Sequence, residues 1–474
     1  MSQKEGATLK KKFLFGLSAI PDQLTYQSFT FLVFTFYYSV IGLNMTQLWI
    51  GFTIWGIWNA INDPLLGLLS DRTKLFKKFG KRRFYITIAF VPLCLLMIFL
   101  YTAPFTSNLI NFIYFLIIIN VNEGVYTLYS VNVNALFPEM FPSEKERASA
   151  NIFIKSFTVI ALIFAIVVPT FIITPMVPKN GITATEIFPK YIINGIFLAI
   201  ITGCIGIFFV LFGIKERPEY AYDVEKGPGF VEAAKITLKN KSFLIFVIAN
   251  TFVWYVFGLL PTIFPLYAAY VLEIPPESTF LSGLPLIAAF IVAAFTFPIH
   301  RKMGKKFGFR KAFIISCIIW CFTMIPYIFL GSGDIILCII FTAIVGFPLS
   351  GALYYVDILI SDIIDEDETK TGCRREGSYY GMNAFIHRFS ILLRITTVAL
   401  VFTGAGWAEY TPNPNINVIF GLKSLMVVFP ILAICIAIIC LIKFPLHGER
   451  LQKMREELEK IHENKRASVK DNKI

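Results

Sequence analysis

Long apolar runs separated by short polar loops dominate this chain. Runs long enough to cross a hydrocarbon core of ~30 Å as helices can be read near 14–41, 46–70, 84–103, 109–137, 147–175, 190–214, 242–272, 279–299, 311–331, 335–360, 376–404 and 415–444. The pattern predicts an all-α integral membrane protein with twelve transmembrane helices. The first run is too long for a secretory leader and carries Asp22, Gln23 and Gln27, so it is expected to stay as the first span. Loop 71–83 holds Arg72, Lys74, Lys77, Lys78, Lys81, Arg82 and Arg83, and loop 300–311 holds Arg301, Lys302, Lys305, Lys306, Arg310 and Lys311, whereas the alternate loops offer little beyond Lys179 and Lys190. Because cytoplasmic loops retain positive charge, both termini are expected in the cytoplasm of a protein of the plasma membrane.

The basic loops also show an internal repeat. FKKFGKRR at 76–83 and RKMGKKFGFRK at 301–311 are similar, and each follows the second helix of a six-helix set. Two six-helix halves are therefore expected, at 1–214 and 242–444, with a cytoplasmic linker at 215–241 and a cytoplasmic tail at 445–474. In the linker, VEAAKITLKNK reads as a short amphipathic surface helix. The tail sets Leu451, Met454, Leu458 and Ile461 at helical spacing among mixed charges, which predicts a solvated helix.

Composition supports this reading. Apolar residues make up 56% of the chain, with 49 Phe, and the mean hydropathy of +0.68 is far above that of a soluble domain. The formal net charge of +12 follows from the loop asymmetry and suits anionic lipid headgroups, so nucleic acid is not an expected partner. The eight Cys lie mostly inside the spans without metal-ligand spacing. A monomer is expected.

Against this background the charges inside the spans stand out. Asp22, Asp63, Glu123, Lys155, Asp357, Arg388 and Arg394 fall within apolar runs. At ~2.5 to 3.5 kcal/mol each, their exposure to lipid would cost on the order of 20 kcal/mol. They must therefore face a cavity or one another. Helical phase agrees: Asn120, Glu123, Thr127, Ser130 and Asn134 recur at intervals of three and four and share one stripe of the fourth span. In the second span Trp55, Asn59, Asn62 and Asp63 adjoin, and Pro64 removes a backbone donor and frees a carbonyl nearby. Such oxygen-rich sites suit small hard cations. The first span adds Gln23, Tyr26, Gln27 and Thr30, and the eleventh adds Tyr380, Asn383, His387 and Arg394 with Arg388 beside them. Asp63 and Lys155 fall at similar depth in their spans, which suggests that they meet, and Asp357 offers a partner for Arg388 or Arg394. Two rocking halves around such a midplane site describe a carrier.

These residues resemble the glycoside-pentoside-hexuronide:cation symporter family, melibiose permease-like, of the major facilitator superfamily. The resemblance is carried by WNAINDPLLG followed by SDRTKLFKKFGKRR, by NALFPEMFPSEKERASANIFIK at 134–155, and by DIIDEDETKTGCRREGSYYGMNAFIHR at 362–388. It implies the major facilitator fold. It further implies that Asp63, with Asn59, Asn62, Thr127 and Glu123 around it, belongs to a cation or proton site, that Lys155 stands where an Arg binds substrate, and that Arg388 stands where a coupling Lys sits. Asp71, Arg72, Arg147, Asp362, Asp365, Glu368, Arg374 and Arg375 resemble a charged cytoplasmic gate. The substrate cavity would be lined by Gln23, Tyr26, Gln27, Ser130, Asn134, Lys155, Asn383, His387, Arg388 and Arg394. Departures bear on substrate: Asn59, Ser130 and Gln23 stand where the family carries acids.

The expected function is cation-coupled symport of a sugar, glycoside or hexuronate-like solute by alternating access, with no cofactor and with sodium or a proton as coupling ion. No metal beyond a sodium ion near Asp63 is implied. A carrier of amphipathic anions such as lysolipids, or an uncoupled uniporter, is the alternative. No HExxH, GxSxG or paired His motif points to an enzyme.

Overall fold

The structure, a computed structural model, describes residues 8–72, 80–104, 106–141, 144–179, 181–216, 230–372 and 375–471. Every regular element among the described residues is helical. The first half contains α1 (Leu9–Gly16), α2 (Ala19–Thr35, continued by a π turn over Phe36–Val40), α3 (Met45–Arg72), α4 (Lys81–Phe99), α5 (Asn108–Met140), α6 (Glu144–Ile172) and α7 (Ala184–Phe208). A short α8 (Phe230–Lys239) precedes the second half, which contains α9 (Lys241–Tyr270), α10 (Leu284–Phe307), α11 (Phe309–Met324), α12 (Ile335–Thr371), α13 (Glu376–His387), α14 (Phe389–Gly404), α15 (Ile416–Met426) and α16 (Val428–Lys443). Then comes α17 (Gly448–Asp471).

Among the described residues, ten helical stretches are long and apolar enough to cross a membrane, and they coincide with the third to twelfth apolar runs. Of the other two runs, the second is the 28-residue α3, about 42 Å long at ~1.5 Å per residue, whose hydropathy is lowered by Asn59, Asn62 and Asp63. The first run is broken between α1 and α2. Pro21 has no N–H to return to the Leu17 carbonyl, and the bonds there tighten, from Ser18 N–H to the Phe15 carbonyl at 3.0 Å and from Ile20 N–H to that of Leu17 at 3.1 Å.

The two halves repeat one packing scheme. In the first, α3 packs on α5, α4 packs on α5 and α7, and α2 packs on α6; in the second, α10 packs on α12, α11 on α12 and α16, and α9 on α13 and α14. Span for span these are the same pairings. The halves meet symmetrically too, α3 against α14, α6 against α10 and α2 against α9.

At the end away from α1 and α17 the halves are sealed together. Tyr38 donates to the Trp407 carbonyl and Tyr410 to that of Pro178. Met45 N–H reaches the Ala408 carbonyl at 2.8 Å, and Lys179 Nζ reaches that of Ala269 at 2.7 Å. Toward the opposite end Asn134, Lys155, Asp357 and Tyr380 are exposed. The bundle is thus closed at one end and polar at the other.

The tail differs from the solvated helix expected of it. α17 lies on the end of α12, with Met454 and Leu458 buried at 5% and 9% exposure. Arg450 bonds Glu366 at 2.9 Å, Arg455 bonds Asp362 at 3.0 Å and His462 Nε2 meets Glu368 at 3.1 Å. The cause is α12 itself: it runs on to Thr371, past the apolar run that ends at 360, and offers α17 both apolar side chains and carboxylates.

Candidate functional site

The charges of the second span sit on α3 where it packs against α14. Asp63 accepts from Arg388 in an ion pair at 2.6 Å, the side chains 29% and 18% exposed. Arg388 lies at the joint between α13 and α14. Its second terminal nitrogen donates to the Asn59 carbonyl, next to the Ala60 carbonyl that Pro64 leaves without an N–H. One guanidinium therefore links the two halves through a carboxylate and a carbonyl on the same helix.

Beneath this pair lies Glu123 of α5, 2% exposed. Trp55 Nε1 donates to one of its oxygens at 3.0 Å, and Asn59 Nδ2 and the Thr127 hydroxyl (3.4 Å) donate to the other. Three neutral donors thus satisfy the buried carboxyl group. Asn62, 0% exposed, has neither amide atom hydrogen-bonded among the described residues, and the same holds for Asn59 Oδ1. Two carboxylates and two unengaged amide oxygens thus occupy about one turn of α3 and the facing part of α5.

On α2 and α5, Gln23 Nε2 donates to Asp22 at 2.7 Å, Tyr26 stacks on Tyr126 with ring centroids 5.6 Å apart, and Asn134 Nδ2 donates to Ser130 at 3.4 Å. Gln27 and Thr30 are half-buried on the same helix as Gln23. On the opposite half, Asn250 donates to Asn383 at 2.9 Å and Trp254 stacks on His387 at 5.0 Å. Lys155 of α6 does not meet Asp63; its charged neighbour is Asp357 of α12, across the interface.

Arg394 differs from the other two bases. It lines a cavity between the halves with Phe29, Thr30, Phe34, Phe52 and Thr262. Its guanidinium rests against α9 at Gly258, where a Cβ would lie 2.1 Å from its terminal nitrogen. Its electrostatic neighbours are the phenols of Tyr26 and Tyr255, and among the described residues no carboxylate answers it. The α9 wall was not foreseen from the sequence, yet Asn250, Trp254, Gly258 and Thr262 recur every fourth residue, a stripe of the kind that helical phase identifies.

Arg375 forks onto Asp367 at 2.6 and 2.8 Å, and Asp362 and Glu368 face α17 as described above. Asp365 lies between them on α12. Arg147 donates to the Phe141 carbonyl at 2.8 Å. Asp71 and Arg72 are the last residues of α3, and Arg374 lies outside the described residues.

A two-half helical bundle with a polar midplane and one sealed end has the architecture of an alternating-access carrier. The sequence matches the family described as MFS/sugar transport protein over residues 14–448. The chain belongs to that family. It is a multi-pass membrane transporter of small molecules with the major facilitator fold, and not an enzyme. It is similar to the uncharacterized symporter YnaJ of Bacillus subtilis (strain 168), 24% identical over 435 residues that make up 91% of this chain and 90% of that protein. It is also similar to the isoprimeverose transporter of Lactiplantibacillus pentosus, 20% identical over 474 residues, 98% and 94% of the two chains. Among solved structures, that of the nucleoside transporter NupG superposes with a TM-score of 0.65 at 12% identity, covering 92% of this chain and all of the other.

Proposed function

We propose that this member of the family carries a small hydrophilic acid, such as an acidic sugar, in symport with sodium or a proton. The observation that carries the reading is Arg394. Arg388 is neutralised by Asp63 and Lys155 neighbours Asp357, whereas Arg394 lines a cavity at the contact of the halves among apolar side chains and the Thr30 and Thr262 hydroxyls, and among the described residues no carboxylate answers it. A guanidinium in that position selects for a carboxylate or sulfonate, to which it presents a planar fork of donors. The Thr30 and Thr262 hydroxyls beside it add hydrogen-bonding capacity for a polyol.

Coupling is assigned to Asp63, Asn59, Asn62, Glu123 and Thr127. Their carboxylate and amide oxygens are the hard donors that sodium takes, and either carboxylate alone serves a proton. A cation arriving at Asp63 competes with Arg388, so that ion binding frees the link between the halves. The basic loops support a cytoplasmic polar end and with it an inward-facing arrangement, and we take the protein to act as a monomer in the plasma membrane. The phenyl walls given by Phe29, Phe34 and Phe52 favour one second reading, an amphipathic anion of the lysolipid kind.

Thermal-shift titration of the purified protein with hexuronates, neutral disaccharides and lysolipids tests the assignment. Hexuronates should stabilise the wild type, Arg394→Gln should lose at least tenfold in affinity, and Arg394→Lys should recover part of it. Stabilisation by neutral disaccharides alone would overturn the proposal, and stabilisation by lysolipids alone would replace it with the second reading.

A further inference from the structure

We infer that the carried acid bears a compact apolar substituent, an aryl ring or short alkyl chain with a hydrogen-bond acceptor, which enters a side pocket in the core of the second half. The inference rests on the reading of Arg394 as the partner of the anion. The pocket is lined by α9, α10, α11, α12 and α15, almost entirely with apolar side chains. Phe264, Trp320 and Met324 form buried wall, while Phe257, Leu260 and Phe290 are half-buried around it. A cavity lined in this way stays dry and takes apolar groups.

Two observations tie it to the substrate. Trp320 is 1% exposed, yet its Nε1 has no acceptor among the described residues. The neighbouring Thr342 hydroxyl, by contrast, already donates to the Cys338 carbonyl at 2.7 Å. A buried indole N–H beside an apolar cavity calls for an acceptor carried in by a ligand. Moreover the pocket and the Arg394 cavity lie on adjoining faces of α9, Phe257, Leu260 and Phe264 on one and Gly258 and Thr262 on the next. A solute that holds its acid at Arg394 and reaches round this helix touches both.

Methyl, phenyl and 4-nitrophenyl hexuronosides, titrated against the full-length protein by calorimetry, test this. The phenyl compound should bind about tenfold tighter than the methyl one, and the nitro group should add a further gain that Trp320→Phe removes. Val345 and Leu349 of α12 line the pocket; Val345→Phe, and independently Leu349→Phe, fill it, and each should abolish the phenyl gain and leave methyl hexuronoside affinity unchanged. Equal affinity for methyl and phenyl compounds in the wild type, or a phenyl gain that survives both filling variants, would overturn the inference. Failure of the anion reading looks different: methyl glucoside would then bind as well as methyl hexuronoside, and phenyl against methyl glucosides would still report on the pocket.

Discussion

Replacing Asp63 by Asn tests the link between the halves directly. The carboxylate lies 2.6 Å from Arg388, where two unit charges at an effective dielectric near 20 interact by about 6 kcal/mol. Desolvation offsets much of this, and removing one partner of a buried pair costs ~3 to 5 kcal/mol. With side chains 29% and 18% exposed, we take about 2 to 3 kcal/mol, which is roughly 30- to 150-fold in the equilibrium between inward- and outward-facing states. Asp63→Asn is expected to weaken the inward-facing state by that factor and to abolish gradient-driven accumulation, while the protein still folds into the membrane. Arg388→Gln in addition removes the orphaned cation, so the double variant should recover solute exchange in reconstituted vesicles but not accumulation, since the coupling carboxylate is still missing. A purely architectural pair would behave differently, with the double variant regaining coupled uptake. Wild-type accumulation by Asp63→Asn, or a double-mutant cycle additive to within about 0.5 kcal/mol, would refute the reasoning.

Accumulation should depend on an imposed sodium or pH gradient; uptake indifferent to both would mark a uniporter. Lys155→Ala should cut transport strongly and Lys155→Arg restore part of it, because the charge beside Asp357 persists; full activity of Lys155→Ala would show that this lysine only reaches for the interface. The α17 pairs join half-exposed arginines to buried carboxylates, so Arg450→Ala with Arg455→Ala should cost about 1 to 2 kcal/mol. Faster hydrogen exchange in α17 and the last turns of α12 would report it, and unchanged protection would show that Met454 and Leu458 alone hold the helix.

The fold was largely legible because the bilayer imposes one simple constraint: backbone polar groups must be satisfied inside each segment, so apolar length translates into helices. Where helices depart from the apolar runs, local chemistry decides. α12 continues past residue 360 because Ile363 and Ile364 are still buried while its acids are paired outside the span. The kink before Pro21 was readable in principle, since proline withdraws a donor wherever it stands. Docking of α17 was less so. An amphipathic stripe tells which face of a helix is apolar but not whether another helix extends far enough to cover it.

The candidate site shows the same division between what phase and what packing determine. Periodicity put Asn59, Asn62 and Asp63 on one side of α3 and Glu123 and Thr127 on one side of α5, and in the structure these faces meet. Depth also made Asp63 and Lys155 suitable partners, but depth is only one of two coordinates. The other is which helices adjoin: α3 packs on α14, so Asp63 finds Arg388, while Lys155 on α6 finds Asp357 of α12 across the interface. Partners 325 residues apart cannot be chosen by spacing, because spacing is a property of one helix and pairing a property of two. That exchange of partners also bears on substrate. Had Asp63 taken Lys155 and Asp357 taken Arg394, the remaining cation would have been Arg388, at the joint of α13 and α14. With the pairs as they stand among the described residues, it is Arg394, set among phenyl rings and hydroxyls between the halves, and for that reason the proposed acidic solute is assigned to this side chain.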